Sequence, residues 1–162
     1  MSAAYEFRPM TTSDLPLVQR WLRAPHVTEW WGEPDEQFRL VRGDLDEPAM
    51  DQYIVATGGR PFGYIQCYDP DAWPPHPFGD QPAGTRGIDQ FIGEADMVER
   101  GHGSAFIRAF VEHVLQAGAP RVLTDPDPDN VRAVRAYHKA GFAPERLVDT
   151  PDGLALLMVC TS

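Results

Sequence analysis

A chain of 162 residues is long enough to bury one hydrophobic core and too short for two of comfortable size, so a single domain over 1–162 is expected. With 43% hydrophobic and 10% aromatic residues, it is not a disordered tail protein. Twenty-four acidic residues against fourteen basic ones, a formal charge of -10, argue against a nucleic-acid partner, which needs a basic face.

The same acidic balance fits a cationic ligand as well as plain solubility. In chain order, Tyr5 to Arg8 reads as a first strand. Thr12, Ser13 and Asp14 offer N-caps for a helix through Leu15, Val18, Trp21 and Leu22, with Pro16 in its first turn. The stretch HVTEWWGEPDEQF is polar and aromatic and leads into another helical piece over Pro34 to Asp44. Tyr53 to Ala56 and Phe62 to Tyr68 flank Gly58-Gly59 and read as a β-hairpin. Residues 70–82 hold five prolines, which predicts a loop, functional or mobile, before a strand over Thr85 to Ile92.

Phe106, Ile107, Phe110, Val111, Val114 and Leu115 recur at helical spacing, and Gly118 ends that helix. RVLTD is a short strand, followed by an acidic, proline-punctuated turn in which Asp127 and Asp129 are turn and cap residues. Asp129 is expected to cap a helix carrying Val131, Val134, Tyr137 and His138, stopped by Gly141. A last antiparallel pair runs from Phe142 and through Leu154 to Val159 across Pro151-Asp152-Gly153. Strands in a run, then alternating with helices, predict an α/β (α+β) domain: a mixed sheet with helices on both faces.

Cys67 and Cys160 fall in apolar strand-like runs without CxxC spacing. They read as buried, reduced thiols of a cytoplasmic protein, a structural disulfide being the weaker alternative. The opening MSAAYEFRPM lacks the basic and apolar regions of a secretion signal, and no run approaches a membrane span. The five histidines show no ligand spacing, so no metal is expected, and His113 and His138 are placed on solvated helix faces.

The stretch VERGHGSAF carries the chemistry of the cofactor side. Gly101 and Gly103 put no side chain between the backbone and an oxyanion. The helix that opens there has orphan N–H groups and a favourable dipole. Arg100 adds one local cation, while distant carboxylates are screened over a Debye length of about 8 Å. A Rossmann fingerprint would need glycine where Phe106 stands, and the Lys-Ser or Lys-Thr of a Walker loop is missing. A glycine-rich start needed for packing alone is the alternative.

The succession of strand, VERGHGSAFIRAFVEHVL, strand, NVRAVRAYHKAGF, strand resembles the GCN5-related N-acetyltransferase (GNAT) superfamily. Asn130, Ala133, Tyr137, Gly141 and Phe142 match its later helix, and Gly101 and Gly103 its phosphate loop. Val98 stands where that loop carries Arg or Gln, so one side-chain contact is lost. The resemblance implies acetyl-CoA as cosubstrate, its diphosphate on Arg100, Gly101, His102, Gly103 and Ser104. The pantetheine arm would run along Gln90, Phe91 and Ile92 through main-chain hydrogen bonds, with Asn130 near the pantetheine or thiol. It also implies a sheet that splays after residue 92, with the acyl group in the gap.

A narrower resemblance covers most of the chain. EWWG at 29–32, PFGYIQCY at 61–68, RGIDQF at 86–91, TDPDPDN at 124–130, AYHKAGF at 136–142 and TPDG at 150–153 are similar, in the same order, to motifs of the aminoglycoside 6'-N-acetyltransferases. That implies a rigid polycationic sugar as acceptor. The residues agree: Asp89, Asp125 and Asp152 supply carboxylates, and Gln66 and Tyr68 share a strand face. In the resemblance both point at the acceptor, with Trp30 as a wall; closing the core is the other reading of Trp30-Trp31.

Asp89 is the candidate to orient the 6'-ammonium and take its proton, a pure binding role being the alternative. Tyr137 is the candidate acid for the departing thiolate, or else a core tyrosine. Neither cysteine has a basic neighbour, so direct transfer without an acyl-enzyme is expected. The 70–82 loop departs from the family's tryptophan-bearing loop, where Trp73 with Asp71 or Asp80 would serve similarly, and 36–50 carries Asp44, Asp46 and Glu47. Two rivals stay open: an acetyltransferase for another amine (a protein N-terminus, polyamine or siderophore precursor) and a non-catalytic acyl-CoA sensor. Monomer and homodimer are equally compatible with the sequence.

Overall fold

The structure, a computed structural model, describes residues 4–162. The first three residues of the segment read for a secretion signal lie outside the described residues. The described residues form seven strands: β1 (Tyr5–Pro9), β2 (Met50–Thr57), β3 (Arg60–Tyr68), β4 (Arg86–Ile92), β5 (Val122–Thr124), β6 (Ala143–Thr150) and β7 (Gly153–Cys160). The helices are α1 (Leu15–Leu22), α2 (Pro25–Trp31), α3 (Pro34–Gly43), α4 (His102–Gln116) and α5 (Val131–Lys139). Hydrogen bonding orders the strands β1-β2-β3-β4-β5-β7-β6. The sheet is mixed, because β4 and β5 run parallel while β1–β2, β5–β7 and β6–β7 are antiparallel. The chain divides into two compact units, one running to Cys67 plus Gln90–His102, the other Tyr68–Asp89 plus Gly103–Ser162.

In the first unit, β1 pairs with β2 from Tyr5↔Thr57 to Pro9↔Tyr53. Gly58 and Gly59 have φ of 55° and 78°, the two consecutive positive values that let a two-residue turn follow the twist of its strands. Asp14 organises the entry to α1. Its carboxylate accepts the Thr11 N–H at 2.9 Å and both arms of Arg8 at 2.8 Å, and these bonds hold its pKa below the usual carboxylate range. Prolines open α1, α2 and α3 in their first turns, where a missing N–H costs nothing. The HVTEWW stretch, read only as a lead-in, is a helix of its own, closed by Gly32 at φ 99°.

These helices bury Val18, Trp21, Leu22, Val27 and Val41 in a core with Ile54, Tyr64 and Phe91. Gly93 is required by that core: a Cβ there would lie 2.1 Å from the Trp21 indole.

The second unit is built on β5, whose three residues are all buried. It pairs with β4 at Arg86↔Val122 and Gly87↔Leu123, and with β7 from Val122↔Cys160 to Thr124↔Met158. β5 stops at Thr124 while β4 runs on to Ile92. Phe78, Leu123, Val148, Ala155 and Leu157 form its core.

The proline-rich 70–82 segment contains one 3-10 turn, Pro70–Ala72, and is otherwise irregular. Its far end is fastened: Phe78 is buried, and the Phe78 carbonyl accepts from Arg146 at 2.5 Å and from Gln81 at 2.9 Å. Residues 71–75 are exposed.

One expected cap is corrected. Asn130, not Asp129, is the N-cap of α5, its side-chain oxygen accepting the Ala133 N–H at 3.2 Å. The Asp127 carboxylate accepts the Asp129 N–H at 2.8 Å, so the turn is one residue longer than the motif suggests and Asp129 falls inside it. Gly141, at φ 108°, follows the end of α5. Both cysteines are buried and neither forms a disulfide. No helix among the described residues is long and apolar enough to cross a membrane.

Candidate active site

In the second unit, parallel pairing of β4 and β5 brings their carboxyl ends to the same end of the sheet. Continuing the register two residues beyond Gly87↔Leu123 sets Asp89 opposite Asp125, and the Thr124 hydroxyl ties the step between them by donating to the Ile88 carbonyl at 3.2 Å. Past β5, the Pro126 carbonyl accepts the Leu156 N–H at 2.8 Å, so the chain leaves Asp125 alongside β7. Asp152 lies in the exposed turn that starts β7. The Asp125 carboxyl is pushed up to about 8, first by burial and then by the negative charges of Asp89 and Asp152, against a smaller opposing effect of a backbone hydrogen bond. Such a group holds a proton at neutral pH, and a cation beside it would displace that proton. The raised value is a consequence of burial and of three carboxylates converging on a partly dry site.

The Tyr68 ring lies against Gly87, two residues before Asp89, where a Cβ would come within 2.4 Å of it. Trp73 meets Tyr68 edge-on with centroids 6.0 Å apart and is itself 41% exposed, so the loop tryptophan extends an aromatic surface from the end of β3. Tyr137, on α5, is buried and packs edge-on against Phe142 at 5.5 Å. Asn130 spends its side-chain oxygen on the helix cap. Gly103 and Ser104 occupy the first turn of α4, whose N–H groups have no partner within the helix.

In the first unit, the segment before α4 alternates in hand: Glu99 has φ 61° and Gly101 φ 83°, while Arg100 between them is not in the left-handed region. Alternation of this kind turns successive N–H groups toward one point and makes a concave anion cradle. Glu99 adopts its unusual φ without being glycine, a feature no sequence motif announced. Arg100 and Gly101 are exposed. His102 is held by its ring: Nδ1 lies 2.9 Å from the Tyr5 hydroxyl, and the imidazole packs against Phe62 at 5.4 Å. Tyr5 was read only as a strand residue, because 97 positions separate it from His102.

The end of β4 is fixed from α2. Trp31 Nε1 donates to the Gln90 carbonyl at 3.3 Å, and His26 Nε2 lies 2.8 Å from the Ile92 carbonyl. The Phe91 side chain is buried against Trp31, Tyr64 and Trp21, so this residue offers a ligand its main chain alone. Trp31 therefore closes the core, whereas Trp30 is 40% exposed. Gln66, half-buried on β3, accepts from the Tyr64 hydroxyl at 2.7 Å. Among the described residues no group of three or more His, Cys, Asp or Glu is arranged to hold a metal ion.

The family model for the acetyltransferase (GNAT) domain matches residues 10–150. Aminoglycoside N(6')-acetyltransferase type 1 of Klebsiella pneumoniae is 36% identical over 166 residues, 95% of this chain and 81% of that protein. Among solved structures, AAC(6')-Ib in complex with coenzyme A and kanamycin superposes with a TM-score of 0.88 at 34% identity, covering 98% of this chain and 95% of that one. The same enzyme in complex with paromomycin and acetyl-CoA also gives 0.88 at 34% identity, covering 98% and 93%. The chain belongs to the GNAT acetyltransferases and, within them, to the aminoglycoside 6'-N-acetyltransferase family.

Proposed function

We propose that this chain moves the acetyl group of acetyl-CoA onto the 6'-amine of aminoglycosides by direct transfer, and so confers resistance to them. The observation that carries the reading is the carboxylate group Asp89, Asp125 and Asp152, where burial and then mutual repulsion have raised Asp125 to about 8. Such a site is relieved by ammonium groups, and a carboxyl titrating near the working pH is well matched to accepting an ammonium proton. The relatives' names, and the kanamycin and paromomycin complexes of AAC(6')-Ib, support a sugar acceptor over a peptide or a polyamine.

In this reading Asp89 and Asp125 orient the 6'-ammonium and take its proton. The freed amine forms the new C–N bond at the thioester carbonyl as the C–S bond breaks. Tyr137 gives a proton to the leaving sulfur and is restored by the proton that the new amide nitrogen sheds. Asp152, Gln66, Tyr68 and Trp30 contact the acceptor. The cradle at Glu99–Gly101, with Arg100, His102, Gly103 and Ser104, takes the diphosphate of acetyl-CoA. The main chain of Gln90, Phe91 and Ile92, together with Asn130, takes its pantetheine arm. We read 1–162 as one cytoplasmic acetyltransferase domain, supported by the match over 10–150 and by two buried cysteines that form no disulfide. Sedimentation separates monomer from homodimer.

The test is thiol release from acetyl-CoA across aminoglycosides, polyamines and peptides. Turnover of kanamycin, and none of an analogue with hydroxyl in place of the 6'-amine, is expected. Turnover of polyamines or peptides alone would overturn the assignment, and binding of acetyl-CoA without any transfer would leave a sensor.

A further inference from the structure

We infer that Glu94 is a positioning residue for the diphosphate of acetyl-CoA: by accepting the indole N–H of Trp21, its carboxylate fixes the entry of the segment 93–102 and holds the Glu99–Gly101 cradle in shape before the cofactor arrives. The inference rests on the seat proposed above for the diphosphate.

The segment is fastened at both ends to one residue of β3. At its entry the Phe62 carbonyl accepts the N–H of Gly93 at 2.7 Å and that of Glu94 at 3.3 Å. At its exit the Phe62 ring packs against the His102 imidazole, which Tyr5 holds through Nδ1. Between these points a 3-10 turn, Ala95–Met97, buries Met97, whose N–H donates to the Glu94 carbonyl at 3.0 Å. Glu99 and Gly101 follow, both in the left-handed region. A cradle of this kind aims its N–H groups only while the backbone on either side of it is held.

Glu94 decides the entry. Gly93 leaves the Trp21 ring room against the main chain, since a Cβ there would lie 2.1 Å from it. Trp21 Nε1 then donates to Glu94 Oε2 at 2.5 Å. That bond is the largest cause holding the Glu94 carboxyl below the usual carboxylate range, with burial opposing it and Arg20 and Arg60 adding to it. Arg20 lies 3.3 Å from the same oxygen and Arg60 lies 3.5 Å from Oε1, while Arg60 also forks onto Asp96 at 2.8 and 2.9 Å. The two arginine side chains are 68% and 47% exposed, so water screens their pairs and each is worth little. The indole is fully buried, and without the carboxylate its N–H would lose the acceptor it has here. One hydrogen bond thus couples the core beneath α1 to the cofactor cradle, and Glu94 acts through the main chain that follows it.

Two acetyl donors separate this role from a merely structural one. Acetyl-CoA carries the diphosphate and acetyl-pantetheine lacks it, so only the first senses the cradle. With kanamycin as acceptor, Glu94→Ala should lower kcat/KM for acetyl-CoA roughly tenfold, the low end of what a hydrogen bond to a charged group is worth. The value for acetyl-pantetheine should stay at that of the wild type. Glu94→Gln keeps one oxygen for Trp21 and loses only the arginine pairs, so it should recover most of the acetyl-CoA rate. Circular dichroism melts establish folding, and Trp21→Phe, which removes the donor instead of the acceptor, takes the place of Glu94→Ala should that variant not fold. Equal losses with both donors, no loss with acetyl-CoA, or Glu94→Gln as impaired as Glu94→Ala overturns the inference.

Calorimetry with coenzyme A judges it without any acceptor. Should the wild type bind coenzyme A and acetylate no aminoglycoside, the proposed function fails, while a Kd roughly tenfold higher in Glu94→Ala than in Glu94→Gln still supports the role of Glu94. Equal Kd values in wild type and both variants reject it.

Discussion

Asp125→Asn is the most informative single change, because it removes the ionisation and keeps the shape. The carboxyl has an ordinary value of 3.8 in the unfolded chain and about 8 in the folded one, so the native state holds a proton that the unfolded state gives up between those two pH values. Stability drawn from this group is therefore full below about pH 4, falls as pH rises, and is lost above about pH 8. At about 1.4 kcal/mol per pH unit, the ceiling on that loss is about 6 kcal/mol, and residual solvent contact at Asp125 brings it to a few kcal/mol.

Denaturant unfolding of both proteins at pH 5 and pH 9 should show Asn gaining on Asp by that amount as pH increases. Calorimetry adds a second readout: at pH 7, kanamycin binding to wild type should release a proton, seen as a dependence on buffer ionisation enthalpy that Asp125→Asn lacks. A stability difference that is flat with pH, together with equal proton release, would refute the clustering argument.

The other expectations are narrower. Tyr137→Phe should lower kcat by about a hundredfold at nearly unchanged KM for acetyl-CoA if the hydroxyl protonates the thiolate, and stopped-flow thiol release checks it; near-normal kcat would return Tyr137 to the core. Tyr5→Phe frees the His102 ring and should raise the KM for acetyl-CoA about two- to tenfold while the kanamycin KM stays put, a split that steady-state kinetics resolves. Gly93→Ala drives a methyl into the Trp21 indole and should cost about 1–3 kcal/mol in chemical denaturation; wild-type stability would show that the ring gives way freely.

What the sequence displayed was what local chemistry decides. Gly58-Gly59 announced its hairpin, the prolines at 16 and 34 marked helix starts, and Gly141 ended α5, each because one residue type tolerates the backbone its position needs. The motifs that carry the family resemblance were legible for the same reason, as short runs with fixed spacing. The contacts that tune the site were not. Tyr5 finds His102 across 97 positions and Trp31 reaches Gln90 across 59, so no window of sequence contains both partners. The misplaced cap at Asp129 shows the complementary limit: Asp and Asn both cap helices, and only the Asp127 turn decides which one does. Asp125 likewise looked no different from Asp89 until β4 and β5 were laid side by side.

The proline-rich loop divides its labour unevenly. Phe78, held by Arg146 and by the core, carries the fold, while residues 71–75 are exposed and meet the sheet through the edge-on contact of Trp73 with Tyr68. Substitutions in that outer half should therefore cost the fold less than substitutions at Phe78 or Arg146.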